Sequence, residues 1–513
     1  MSSQQSTGEG DKGLFWACFL SLIATAFGFI IRAMIINDWG HEFGLSETEK
    51  GQIMGAGLWP FALSIVLFSL VIDYIGYGRS MVFAWVCHLL SATIMIMAKD
   101  YTWLYVGSFI GALANGTVEA VINPVVATMF PREKTKWLNI LHAGWPGGLV
   151  IGGLMTILMA TMMGADSSTM WRYKIALIYI PVIAYGILLL GKKFPVHERV
   201  AAGVSYHAML KEVGILGALI VISLMTFEVG RVFELSVYVN IGIIVLLTGL
   251  FGAYVRSLGQ PLFVFMLLIM MPLATTELGT DTWITDLMTV EMQKLSLNPG
   301  WVLVYTSFIM MMLRFSAGPI VHKLSPLGLL ATCAAIAALG LTALSMSTGI
   351  GILLAATLYG VGKTFFWPTM LGVVAERFPK GGALTLNSIA GVGMLSVGIV
   401  GTVFLGYFQD SSMDGQLKTY DEVNKTSYHA NYITQEKTSI FGKYVALDQT
   451  KVDAAPEAEK QVITEAVGAS KKGALQAVAI FPCIMLVCYL ILIFYFKTKG
   501  GYSAVHIDDA KHE

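Results

Sequence analysis

Residues 116–139 read GTVEAVINPVVATMFPREKTKWLN, and residues 359–387 read YGVGKTFFWPTMLGVVAERFPKGGALTLN. Each stretch places a charged residue five positions before a proline: Glu119 before Pro124, and Lys363 before Pro368. Each then carries Phe-Pro (Phe130-Pro131; Phe378-Pro379) and closes on Leu-Asn, with Asn139 and Asn387 eight residues beyond that second proline. The prolines stand 7 apart in one copy and 11 in the other, a difference of about one helical turn. Four features in the same order point to two copies of one structural unit within the chain.

Long apolar runs surround both copies. Crossing about 30 Å of hydrocarbon takes about 20 apolar residues. The candidate spans are 14–36, 51–72, 80–98, 103–128, 138–162 and 173–191, then 213–230 and 238–255, then 261–283, 301–321, 327–347, 349–375, 383–406 and 473–496. The expected fold is an all-α membrane protein with about 14 transmembrane helices. Residues 1–200 form an N-terminal six-helix bundle, 201–260 connect through two extra membrane helices, and 261–513 form a C-terminal six-helix bundle. The outer sets are numbered first to sixth and seventh to twelfth, with the middle pair uncounted. Both motif copies then fall on the fourth and fifth spans of their half, and parallel repeats of this kind mark transporters that rock one half against the other.

Composition agrees. The chain is 56% hydrophobic and 13% charged, against about 25% charged in soluble proteins. Lys plus Arg equals Asp plus Glu at 33 each, which implies no nucleic-acid partner. The expected partners are the lipid bilayer, a small solute and protons, with no obligate protein partner. The five cysteines lie in apolar runs without CxxC spacing, so no metal or cofactor is expected. The first apolar run is too long for a cleaved signal peptide.

Lys and Arg favour cytoplasmic loops. With the N-terminus inside, the inner loops and termini hold Lys12, Arg79, Arg132, Lys134, Lys136, Lys192, Lys193, Arg199, Lys211, Arg256, Lys323, Arg377, Lys380, Lys497, Lys499 and Lys511. Short outer loops hold Lys50, Lys99, Arg172, Lys174, Arg231 and Lys294. Both termini are therefore expected to be cytoplasmic in a multi-pass plasma-membrane protein (the inner membrane of a bacterium), with tail 497–513 inside. The polar loop 407–472 falls outside and reads as a solvated connector with a short helix over Pro456–Val467, a lid over the outer mouth being the alternative.

Between the second and third spans lies SLVIDYIGYGRSM (69–81). It resembles the G-x-x-x-D-x-x-G-R-[KR] loop of the major facilitator superfamily, with Asp73 and Gly76 in place, Ser69 for the first glycine, and Arg79 two positions late. The related stretch SAGPIVHKLSPLG (316–328) keeps Gly318 but has His322 where the acid would stand. The segment VEAVINPVVATMFP…KTKWLNILHAGWPGG also resembles the fucose–proton symporter branch, apart from the extra middle helices. That resemblance implies a rocking-bundle carrier, a gating loop at Asp73, Gly76 and Arg79, and a coupling role for Glu119.

Charges inside spans carry the rest. An ionised group at the bilayer centre costs from roughly 2.5 kcal/mol, so it needs a partner, water or a proton. Glu119 lies mid-helix in the fourth span, beside Asn123, and Lys363 occupies the repeat-related place; the two are candidates to pair across the halves. In IMMPLATTELGTDTWITDLM, Pro272 and Gly279 loosen the seventh span, and Glu277 and Asp281 share a face four residues apart. Asp281 is expected in the outer vestibule. Arg32 either snorkels to headgroups or meets an anion, and Arg314 either plays a structural role or anchors an inner gate. His142 either titrates near neutrality or is a core histidine. Trp145 and Trp367 stack on a sugar ring or fill the core, while Trp39, Trp103, Trp171 and Trp301 suit an interfacial belt. Asn387 completes the pathway set by its place in the repeat.

The expected function is proton-coupled secondary transport of a small polar solute, sugars first. An organic-anion carrier using Arg32, Arg314 and Lys363 is the alternative within transport, and a membrane-embedded sensor the alternative outside it. No GxxxxGK[ST], HExxH or GxSxG run supports an ATP-driven pump or an enzyme.

Overall fold

The computed structural model describes residues 11–45, 47–163, 170–297, 299–439, 442–505 and 507. The first ten residues and the end of the tail, with Lys511, lie outside them. Twelve described helices are long and apolar enough to cross a membrane. The count is thirteen when Trp301–Phe315 and Ala317–Leu324, which meet at 72°, are taken as one bent eighth span. The expected span 349–375 is two short helices, Gly351–Lys363 and Phe366–Arg377, broken just before Pro368. Fourteen is therefore an approximate number.

Local chemistry sets the helix ends. Asp11 and Asp100 accept two backbone N–H groups each at the starts of the first and fourth spans, the usual N-cap role. Pro60, Pro261 and Pro326 occupy first-turn positions where no N–H is needed. Gly76 turns the chain between the second and third spans with φ 86°, open to glycine at no steric cost.

The middle pair is present. Tyr206–Val232 packs on the second, seventh and eleventh spans, while Val237–Val255 packs on Tyr206–Val232 and is otherwise mostly exposed. Loop 407–472 is folded, which overturns the solvated connector. Helix Thr402–Asn424, an antiparallel hairpin of Ile433–Ser439 with Gly442–Leu447, and helix Glu457–Val478 enclose Met413, Leu417, Ile433 and Ile463. This unit rests on the short helix Thr289–Lys294 just beyond the seventh span, where Lys472 meets Glu291 at 3.2 Å. Trp39 and Trp171 are buried edge to face rather than lying in a belt, whereas Trp301 stays exposed.

At the end bearing the basic loops the two sets of six are tied together. Thr135 donates its hydroxyl to Glu376 at 2.6 Å, Lys134 reaches the Ala375 carbonyl at 3.2 Å, and Asn139 donates to Thr369 Oγ1 at 3.1 Å. The tail then straps Glu376 from the other side. Tyr502 donates to its second oxygen at 2.7 Å, Val505 N–H to its carbonyl at 2.8 Å, and Arg377 to Ser503 O at 2.7 Å. The expected gating loop is corrected in one respect: Arg79 is exposed, and the cation paired with Asp73 is Arg199, from beyond the sixth span. Beside it, burial and the Arg199 and Lys134 charges push the His197 imidazole down to about 3, so it is neutral near pH 7.

Glu376→Ala or Tyr502→Phe is expected to loosen this closure. Each lost hydrogen bond is worth about 1 kcal/mol, so impermeant-maleimide labelling of Leu386→Cys, in a background without native cysteines, should quicken about fivefold in Tyr502→Phe, which loses one bond, and more in Glu376→Ala, which loses those from both Thr135 and Tyr502. Unchanged labelling in both variants would show that the tail does not hold the gate.

Candidate transport site

Three prolines build the centre. A proline lacks the N–H that would bond the carbonyl four residues earlier in a helix. Pro124 so frees Ala120 O, and Asn387 donates to it at 3.1 Å from the other half. Pro368 frees Thr364 O, which accepts from Arg314 Nε at 2.6 Å. Pro146 frees His142 O, which accepts from Arg314 Nη1 at 2.8 Å, again across the halves.

The remaining arm of Arg314 donates to Glu277 Oε1 at 2.7 Å, and the other Glu277 oxygen accepts from Trp367 N–H at 3.1 Å. Both charged side chains are almost wholly buried, at 1% and 2% exposure. Glu277 sits mid-way in a π-turn, Thr275–Gly279, just after Pro272. The loosening expected there is real, and it turns this carboxylate inward. Arg314 is therefore a central bridge rather than an anchor of the inner gate.

On the facing half, Asn123 Nδ2 donates to Glu119 Oε2 at 2.7 Å, leaving its Oδ1 to accept from His142 Nε2 at 2.9 Å. Glu119, His142, Trp145, Glu277, Arg314 and Trp367 line one cavity of about 30 Å³. That is room for a water or two, far below the ~300 Å³ at which solute pockets begin. The site is collapsed in this state. Its two carboxylates also differ, since Glu277 has a guanidinium partner and Glu119 an amide.

Lys363 does not meet Glu119. It pairs with Asp281, touches Thr306 Oγ1 at 3.2 Å and lies 5.0 Å from the Tyr359 ring centre. Asp281 is thus buried in the C-terminal set and not in a vestibule. Arg32 neither snorkels nor joins the centre. It lies inside the N-terminal set, donating to Gly28 O at 2.8 Å and Ser108 O at 3.4 Å, beside a separate cavity lined by His88 and Asn115. Sequence reasoning missed His88, which bridges Tyr185 Oη and Asn115 Oδ1 at 2.9 and 2.8 Å. A histidine within an apolar run was its only signal. Arg199 and Glu376 were hidden by their distance in sequence from Asp73 and Thr135.

The Major Facilitator Superfamily model matches residues 17–402. The chain belongs to that family. Its members are transporters and not enzymes, and the helical fold here is theirs. Among solved structures, the fucose:proton symporter FucP of E. coli is similar at 13% identity and TM-score 0.57, covering 92% of this chain and 98% of that one. The proton:xylose symporter XylE of E. coli gives 12%, 0.60, 92% and 94%. The human organic anion transporter MFSD10 gives 10%, 0.57, 93% and 99%. At such identities the likeness is one of fold. No curated protein sequence matches the chain.

Two substitutions test the charge assignments. Arg314→Ala strands Glu277 and two carbonyls, so a stability loss of about 3–5 kcal/mol is expected by thermal unfolding in detergent, with Arg314→Lys recovering only part. Lys363→Met is expected to cost a similar ~3–5 kcal/mol, most of it regained in Lys363→Met with Asp281→Leu, because removing both partners strands no charge. A double variant no more stable than the single would refute the pairing.

Proposed function

We propose that this transporter couples movement of a small polar solute, a sugar first, to protons by alternating access between its two six-helix sets. The observation that carries the reading is the hydrogen-bonded run Glu119–Asn123–His142, joined through the His142 carbonyl to Arg314 and Glu277 of the other half. A carboxylate whose partner is an amide is cheapest to bury with its proton on, whereas one facing a guanidinium stays ionised. Glu119 is then the proton carrier, and the Arg314–Glu277 bridge reports to the opposite half whether the site is filled. Trp145 and Trp367 supply flat apolar faces, and Asn123, His142 and Glu277 supply the hydrogen-bonding groups that a polyol needs once the cavity widens. The fold shared with two sugar:proton symporters supports the same solute class.

The organic-anion alternative draws on the fold shared with MFSD10. It requires converging, available cations. Arg314 and Lys363 are each offset by a carboxylate, and Arg32 faces a different cavity, so the sugar reading is preferred.

In proteoliposomes, a sugar panel should include one that drives proton uptake. Glu119→Gln is expected to abolish proton-driven accumulation of that sugar while sparing its counterflow. Wild-type proton uptake in Glu119→Gln would sink the assignment, and a flat response to every sugar alongside proton uptake with organic acids would favour the anion reading.

A further inference from the structure

A cavity of about 580 Å³ opens where the middle pair meets the N-terminal set, at the end of the spans away from the basic loops. Its walls carry Trp59, Tyr101 and Tyr105, with Gln52, Arg231 and Glu234 among them. The Tyr101 and Tyr105 rings lie 5.8 Å apart, and the Tyr101 hydroxyl is committed to Gln52 Oε1 at 2.8 Å. Arg231 is held along one edge by the buried Glu228, through Nε at 3.1 Å and Nη2 at 2.6 Å. Its side chain is nevertheless 57% exposed and lines the cavity, which leaves the Nη1 side of the fork, not engaged by Glu228, available to a ligand.

We propose that this cavity binds the headgroup of an ammonium-bearing phospholipid. Three features set the chemistry. Aromatic faces attract an organic cation, and Glu234 adds a negative charge at the same rim. The free Arg231 fork suits a phosphodiester. Glu228 offsets the Arg231 charge and Glu234 remains, so the site favours a zwitterion over an anionic headgroup. Its level matches a lipid: Tyr101 is the first residue of the fourth span, Arg231 stands in the last turn of Tyr206–Val232, and Glu234 lies in the link to the next middle helix. Beside it, Val237, Tyr238, Ile241 and Val245 of the outer middle helix are exposed and supply an apolar face for acyl chains. The inference is independent of the solute, and it gives the two extra helices a role.

The test is native mass spectrometry of the delipidated full chain, given equal amounts of phosphatidylethanolamine, phosphatidylcholine and phosphatidylglycerol. Wild type should retain a zwitterionic lipid in preference to phosphatidylglycerol. Arg231→Gln and Tyr105→Ala should each lower that retention about fivefold, as befits ~1 kcal/mol contacts, while Leu250→Ala on the lipid-facing helix should not. Melting curves show whether each variant remains folded. Equal retention of phosphatidylglycerol, or unchanged retention in both folded site variants, would overturn the proposal. Thermal protection by soluble glycerophosphocholine without retained lipid would overturn the lipid assignment.

Discussion

Arg314 is the group on which the centre depends. Its guanidinium satisfies two carbonyls that Pro146 and Pro368 leave without donors, one from each half, and neutralises Glu277. A lysine could offer charge and three N–H donors, but all on one nitrogen, not spread across the three nitrogens of a planar fork. In a low-dielectric interior each stranded carbonyl costs on the order of 1–3 kcal/mol. The prolines and the arginine therefore form one unit. The prolines weaken the helices where they must bend, and the arginine makes that weakness tolerable in this state.

The repeat acquires a physical reason from the same unit. Pro124 and Pro368 occupy equivalent places, and each frees a carbonyl that a side chain from another helix takes up: Asn387 in one case, Arg314 in the other. Asn139, the counterpart of Asn387, instead donates to Thr135 O and Thr369 Oγ1. The two copies share a backbone plan but differ in what fills it. One side of the cavity is left with the amide-bound Glu119 and the other with an ion pair.

Much of this was legible in sequence because it follows from spacing and hydropathy. The spans, the motif copies and the middle pair came from apolar runs, and Glu119 and Glu277 stood out as charges within them. Partner choice was not legible. Whether Lys363 meets Asp281 or Glu119 depends on the angles between helices far apart in the chain, and no local pattern encodes those angles. Arg32 was ambiguous for the same reason, since a mid-helix arginine facing its own bundle reads like one facing the cleft. Loop 407–472 looked solvated because its small core draws on residues spread across the whole segment.

The collapsed cavity and the strapped end together constrain how the molecule works. A small solute cannot enter about 30 Å³, so the halves must part. The end closed by Glu376, Thr135 and the tail is not where parting costs least. The helices best able to give way are the seventh and eleventh, whose π-turns Thr275–Gly279 and Val397–Gly401 pack against each other. π-turns are rare breaks in regular α-helical bonding, and they recur at functional sites. Movement there would carry Glu277 directly, and through it Arg314 and the His142 carbonyl. The hydrogen bonds that define the closed site are thus also the ones that opening must strain first, which is the condition for coupling site occupancy to the gate.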